Sequence, residues 1–261
     1  MKGGVALNLQ TLEKAIVEQW KLKIVFLAVG DEEVNSEGMR AASPHLLALK
    51  ETYNLDYQMG LLTEPVFRNN PNDDHFSIYT GTVGKVLLTA LVVGKETHAG
   101  EPLSGMTSSY LASFLTQEME WNPDFVEEDY GERMQPPVVL QQKDVVDLYS
   151  VQTPLRTSIL FNAFQMKRSI AEIFDLFEKT AAKAAENANT NYLAKCEVYD
   201  IESVGDVKVI RYEELLKYAT EKMGADWIGK VRQDIERSGS GDVRDKSIQI
   251  ADTLMMACKE L

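Results

Sequence analysis

The feature that most constrains this chain is a short apolar run that stops at a cluster of acids. Lys23-Ile24-Val25-Phe26-Leu27-Ala28-Val29 is almost unbroken in hydrophobicity and ends at Gly30-Asp31-Glu32-Glu33. An unbroken run, as opposed to an alternating one, predicts a strand buried on both faces, as in a parallel sheet sandwiched between helices. The flanking pattern agrees. Val5, Leu9, Leu12, Ile16 and Trp20 recur at helical spacing and predict a helix over residues 4–20. A second helix is predicted over 37–53, with Pro44 expected to kink or restart it. A second strand over 57–62 ends at Thr63-Glu64-Pro65. Helix, strand, helix, strand is the order of a doubly wound, mostly parallel sheet, in which ligands sit at the carboxyl ends of the strands. Glu32, Glu33 and Glu64 all fall at such ends.

Beyond the Asn69-Asn70-Pro71-Asn72-Asp73-Asp74 loop signal the character changes. A strand is predicted over 84–93, followed by Gly94 through Pro102 with His98 inside it, and then a helix over 106–120. An acidic loop over 121–136, strands at 138–142 and 156–165, and a helix over 169–187 complete an α+β module of antiparallel strands and two helices. The tail predicts helices over 212–223, 227–236 and 247–260, with Ser238-Gly239-Ser240-Gly241 as a flexible joint. The fold expectation is therefore α/β: a partial catalytic domain with a doubly wound sheet (1–78), an inserted α+β module (79–188), and a mostly helical second part of the first domain (189–261).

Composition removes several classes of function. A net charge of −13 argues against a nucleic-acid partner, because phosphate binding needs a basic surface. No apolar run approaches the ~20 residues that span a bilayer, and no secretory signal opens the sequence. The two cysteines, Cys196 and Cys258, form no CxxC and no disulfide framework, which fits a reducing cytoplasm.

Paired carboxylates after a buried strand can divide two tasks, one acting as a base while its neighbour holds a metal. Three carboxylates converging at sheet ends would repel one another unless a cation neutralised them. Other candidates read as ordinary structure. His45 is expected to be exposed or to sit at a helix start. His75 belongs to a polar turn without the ligand spacing of a calcium loop. Gly81-Thr82-Val83-Gly84-Lys85 lacks the spacing of a phosphate loop. Glu127-Glu128-Asp129 reads as a solvated loop face.

Taken in order, Met1-Lys2-Gly3-Gly4, Gly30-Asp31-Glu32-Glu33 with Ser36-Glu37-Gly38, Glu64-Pro65, and Gly94 to Pro102 with His98 resemble a known family. It is the co-catalytic di-zinc peptidases and amidohydrolases, which include aminoacylase, acetylornithine deacetylase, succinyl-diaminopimelate desuccinylase and glutamate carboxypeptidase. Thr153-Pro154-Leu155-Arg156 before a strand looks most like the arginine-utilisation RocB subgroup. The resemblance implies Glu32 as general base, Glu33 and Glu64 as zinc ligands, and His98 as a donor to the oxyanion. It also implies that residues 79–188 form a lid through which two copies pair as a homodimer.

The same resemblance implies a bridging Asp before Met1, an upstream His-x-Asp and a late histidine as further ligands, and none of these lies within the chain. Zinc is then expected to bind weakly or not at all. Where many relatives carry an Arg before the last lid helix, this chain reads Asn162-Ala163-Phe164-Gln165. Three readings stand: an incomplete zinc hydrolase of small amino-acid amides or peptides, a non-catalytic, dimeric remnant of the same fold, or a different α/β enzyme in which the Asp-Glu-Glu turn is accidental.

Overall fold

The computed structural model describes residues 3–64, 67–68, 71–75, 77–145, 149–238 and 241–258. Met1, Lys2, Pro65, Asn69, Asn70, Gly239, Ser240 and the last residues of the tail helix, all named above, lie outside that set. The chain divides into two compact units, Met1–Thr80 and Gly81–Leu261.

The first unit holds α1 (Gly3–Val17) and α2 (Glu37–Tyr53). Pro44 sits inside α2 without ending it, and Asn54 closes the helix in the left-handed conformation while donating to the Lys50 carbonyl. Two glycines let backbones touch. A β-carbon on Gly4 would lie 2.3 Å from the Thr63 carbonyl oxygen, and one on Gly38 would lie 2.5 Å from that of Gly30. Asn8 Nδ2 adds a 3.0 Å bond to Thr63 Oγ1, and Tyr57 Oη donates to the Leu46 carbonyl at 2.8 Å.

The described residues of this unit do not form the doubly wound parallel sheet. Residues 23–29 and 57–62 make no ladder. Ile24, Val25, Leu27, Val29 and Leu62 are exposed, and among the described residues of the unit only Ala15 and Ala42 are buried. The reason is physical. A strand buried on both faces needs neighbours along both edges and cover on both sides, and the described residues of this unit supply only two helices.

The second unit is built on a three-stranded sheet in the order β1 (Gly84–Val93), β5 (Arg156–Gln165), β4 (Val138–Asp144), every pair antiparallel. A short hairpin, β2 (Glu128–Asp129) and β3 (Glu132–Arg133), occupies the stretch expected as plain loop. Strand alternation puts Leu88, Ala90, Ile159, Phe161 and Ala163 on one face. There they pack against Ala112, Leu115 and Met119 of α3 (Ser108–Met119) and Ile173, Phe177 and Ala184 of α4 (Ile170–Tyr199). Phe161 and Phe177 meet edge to face at 5.9 Å.

α4 starts with a capping box between Ser169 and Glu172 and runs twelve residues beyond the expected end. Its extra turns bury Ala188, Tyr192 and Cys196 against Met106 and Leu111. The remaining helices, α5 (Tyr212–Met223), α6 (Ala225–Arg237) and α7 (Val243–Ala257), share a core of Leu215, Ala219, Ile228, Leu254 and Cys258. α7 is tied to the sheet by ion pairs from Arg156 to Asp252 and from Lys143 to Asp245. Among the described residues no helix is long and apolar enough to cross a membrane.

Candidate functional site

The Gly30–Glu33 turn separates its acids by task. Asp31 adopts a positive φ of 68°, a conformation that Asp tolerates better than most residues. Its carbonyl accepts the Ser36 N–H at 2.7 Å, and its carboxylate accepts the Glu37 N–H at 3.2 Å. Asp31 therefore satisfies one of the orphan donors at the start of α2. Glu32 and Glu33 are left exposed, with no hydrogen bond or ion pair from their carboxylates to another described residue. Gly38 allows the turn to close, because any larger residue would strike the Gly30 backbone.

Glu64 is also exposed and follows Thr63, the residue held against Gly4. Motif segments 60 residues apart are thereby joined: the Gly3-Gly4 start of α1 meets the Thr63-Glu64 segment. The three glutamates do not gather into a ligand cluster. Among the described residues, the one group of three acid or imidazole ligands with donor atoms within 4.8 Å is Asp73, Asp74 and His75, on a largely exposed loop. There His75 Nδ1 lies 3.0 Å from Asp73 Oδ1, and the hydrogen bonds from His75 hold the Asp73 carboxyl below its ordinary range. His45 is exposed on α2.

Zinc in proteins takes three or four side-chain ligands, imidazole and thiolate prominent among them. Glu33 and Glu64 offer two exposed carboxylates with no imidazole gathered beside them. They do not fit a zinc ion by themselves.

His98 belongs to the second unit and is held by a different device. The loop from Gly94 to Met106 is pinched at its neck by paired bonds between Lys95 and Met106, at 2.8 and 2.9 Å. Gly94 and Gly105 are required there, since a β-carbon on either would lie within 2.5 Å of a backbone oxygen across the neck. On its outer side the loop is sewn to residues 151–155. Thr97 N–H donates to Thr153 Oγ1, Thr153 N–H to the Thr97 carbonyl, and Ala99 N–H to the Val151 carbonyl. Pro154 and Leu155 take the N–H groups of Ser108 and Gly94. The Thr153-Pro154-Leu155-Arg156 segment thus acts as the clamp of the His98 loop, a role that its sequence does not announce. The exposed His98 ring receives the Gly100 N–H at Nδ1, 3.0 Å away.

One further side chain departs from expectation, and another is buried without satisfying its amide oxygen. Glu127 is half-buried instead of solvated, and its carboxylate collects the N–H groups of Met166, Lys167 and Arg168, each at 2.9 Å. Asn162 is buried on the sheet face opposite Phe161, and its Oδ1 has no hydrogen-bond partner among the described residues.

Against curated proteins, the chain is similar over its whole length to the uncharacterized protein YqjN of Bacillus subtilis strain 168. The identity is 36% over 272 residues, which take in 100% of this chain and 49% of YqjN. Protein RocB of the same strain is 31% identical over 186 residues, 70% of this chain and 33% of RocB. The chain resembles both. It spans about half the length of YqjN and a third of RocB. No family model matches. Among solved structures, aminopeptidase PepT from Bacillus cereus ATCC 10987 overlaps 54% of this chain and 36% of its own, at 15% identity and a TM-score of 0.31. A likeness that low carries no argument about fold or activity.

Proposed function

We propose that this chain is part of a peptidase-like amide hydrolase related to RocB, acting in the cytoplasm on a small amino-acid derivative. Its active centre is completed by polypeptide outside these residues. The observation that carries the reading is the contact of Gly4 with Thr63, which draws the first motif onto the segment bearing Glu64. The similarity to RocB supports the same direction, and two free, buried cysteines suit a reducing compartment.

In this reading Glu32, free of structural duty, accepts the proton of the attacking water, a contribution of ~10²–10⁴ in rate. His98 donates to the oxygen that gains charge as the amide carbon becomes tetrahedral. Glu33 and Glu64 contribute two carboxylates to a zinc site whose other ligands must come from elsewhere, so the chain alone holds zinc weakly or not at all. Residues 23–29 and 57–62 become strands of a parallel sheet once neighbours cover them. Residues 79–188 serve as a lid.

Two copies pair through that lid. β1 offers a ten-residue outer edge with no bulge, whereas β4 is broken by an irregularity between Val139 and Gln141 and ends in Lys143 and Asp144. Straight edges invite pairing and bulged, charged ones resist it.

The misfit of Glu33 and Glu64 to zinc favours a second reading, a non-catalytic dimeric remnant of the same fold. Metal analysis of the chain grafted in place of the matching half of YqjN, with an assay on N-acyl amino acids and dipeptides in added zinc, separates the two. About two tightly held zinc ions per chain would exclude the remnant.

A further inference from the structure

We propose that Gly100 is a positioning residue that fixes His98 as an Nε2–H donor, presented to an oxygen acceptor of a bound ligand, either an amide carbonyl or a carboxylate. The ligand part rests on the reading of His98 given above; the tautomer rests on geometry alone. A backbone N–H can only donate. Since Gly100 N–H lies 3.0 Å from His98 Nδ1, that nitrogen is the acceptor and carries no proton. The neutral ring therefore bears its hydrogen on Nε2, and the exposed ring offers that group outward.

The loop is held firmly enough to make the choice matter. The His98 backbone forms an antiparallel bridge with Gln152, its carbonyl takes the Glu101 N–H at 2.8 Å, and Thr153 Oγ1 holds the Thr97 N–H at 2.9 Å. Glycine also suits the site sterically. A β-carbon at position 100 would lie 3.1 Å from Nδ1 and 3.4 Å from Cε1 of the same ring. The chain contains its own contrast. His75 Nδ1 faces the Asp73 carboxylate, which can only accept, so His75 carries its hydrogen on Nδ1.

The test is long-range proton–nitrogen correlation NMR of the imidazoles in the full, ¹⁵N-labelled chain, with the His98 signals identified by their loss in His98→Asn. Neutral His98 is expected in the Nε2–H form and His75 in the Nδ1–H form. Gly100→Pro, which deletes the donor, is expected to move His98 toward a mixture of tautomers and leave His75 unchanged. Gly100→Ala keeps the donor and is expected to retain the Nε2–H form. Wild-type His98 in the Nδ1–H form or as an even mixture overturns the proposal without any variant, and so does a folded Gly100→Pro with an unaltered tautomer. Titration with N-acetylglycine then separates the two parts. A shift of the Nε2–H signal supports the ligand role, whereas no shift with the tautomer intact overturns the functional reading alone.

Discussion

Gly4 and Thr63 are in backbone contact, close enough that a β-carbon on Gly4 would stand 2.3 Å from the Thr63 carbonyl oxygen. The contact ties the first turn of α1 to the residue before Glu64, and its neighbour provides a control, because no atom of the described residues lies within 4 Å of a β-carbon on Gly3. Gly4→Ala is expected to cost about 1–3 kcal/mol through overpacking, offset in part by the ~0.5–1 kcal/mol that alanine adds to a helix. Gly3→Ala is expected to be neutral or slightly stabilising. Hydrogen exchange over α1 and residues 60–64 reads the difference; equal protection in both variants would refute the contact.

Glu127 binds the loop before α4. Burial raises its carboxyl and is the largest single influence, yet the N–H groups of Met166, Lys167 and Arg168 together hold it below the ordinary value of 4.5. A carboxyl depressed in the folded state stabilises above its unfolded pKa and loses that contribution as pH falls through the folded value. In Glu127→Gln, an amide nitrogen must face at least one of the three donors. A loss of ~1–3 kcal/mol is expected at neutral pH, shrinking as wild-type Glu127 itself becomes protonated in acid. Urea midpoints of both proteins at pH 7 and pH 3 would show whether the gap closes.

The lid-like module was largely legible. β1 and β5 match their expected limits because ten-residue strands of apolar and β-branched residues leave little choice. α2 was legible over its full length, with Pro44, expected to kink or restart it, lying inside it. The end of α4 was not, since Asn187, Asn189, Thr190 and Asn191 are poor helix formers. Burial of Ala188, Tyr192 and Cys196 at four-residue steps outweighs them. Residues 23–29 and 57–62 pair with no described strand for the opposite reason: an apolar pattern reports what a segment needs, not whether a partner is present. Glu127 looked like solvated charge because its three partners lie about 40 residues away. The clamp on His98 was hidden likewise, with Thr97 and Thr153 meeting across 56 residues.

Asn162 carries a buried Oδ1 with no partner among the described residues, between Leu87 and Val138 on neighbouring strands. Replacing a buried, unsatisfied polar group with an apolar one of similar size is neutral or stabilising. Asn162→Leu is expected to raise the urea midpoint, by an amount on the order of 1 kcal/mol. A clear fall would mean that the amide serves a partner or ligand.

The straight outer edge of β1 leads to an oligomeric expectation. Sedimentation at micromolar concentration is expected to give a dimer, and a monomer would contradict pairing through this module.

In the proposed function Glu32 is the proton acceptor of an amide hydrolase whose metal ligands this chain supplies only in part. The most direct measurement grafts the chain in place of the matching half of YqjN and follows zinc content and hydrolysis of N-acyl amino acids with and without Glu32→Gln. Bound zinc is expected in both proteins, with a loss of hydrolysis of about 10²-fold or more in the variant. Hydrolysis unchanged by Glu32→Gln, or a graft that binds no zinc, would contradict it.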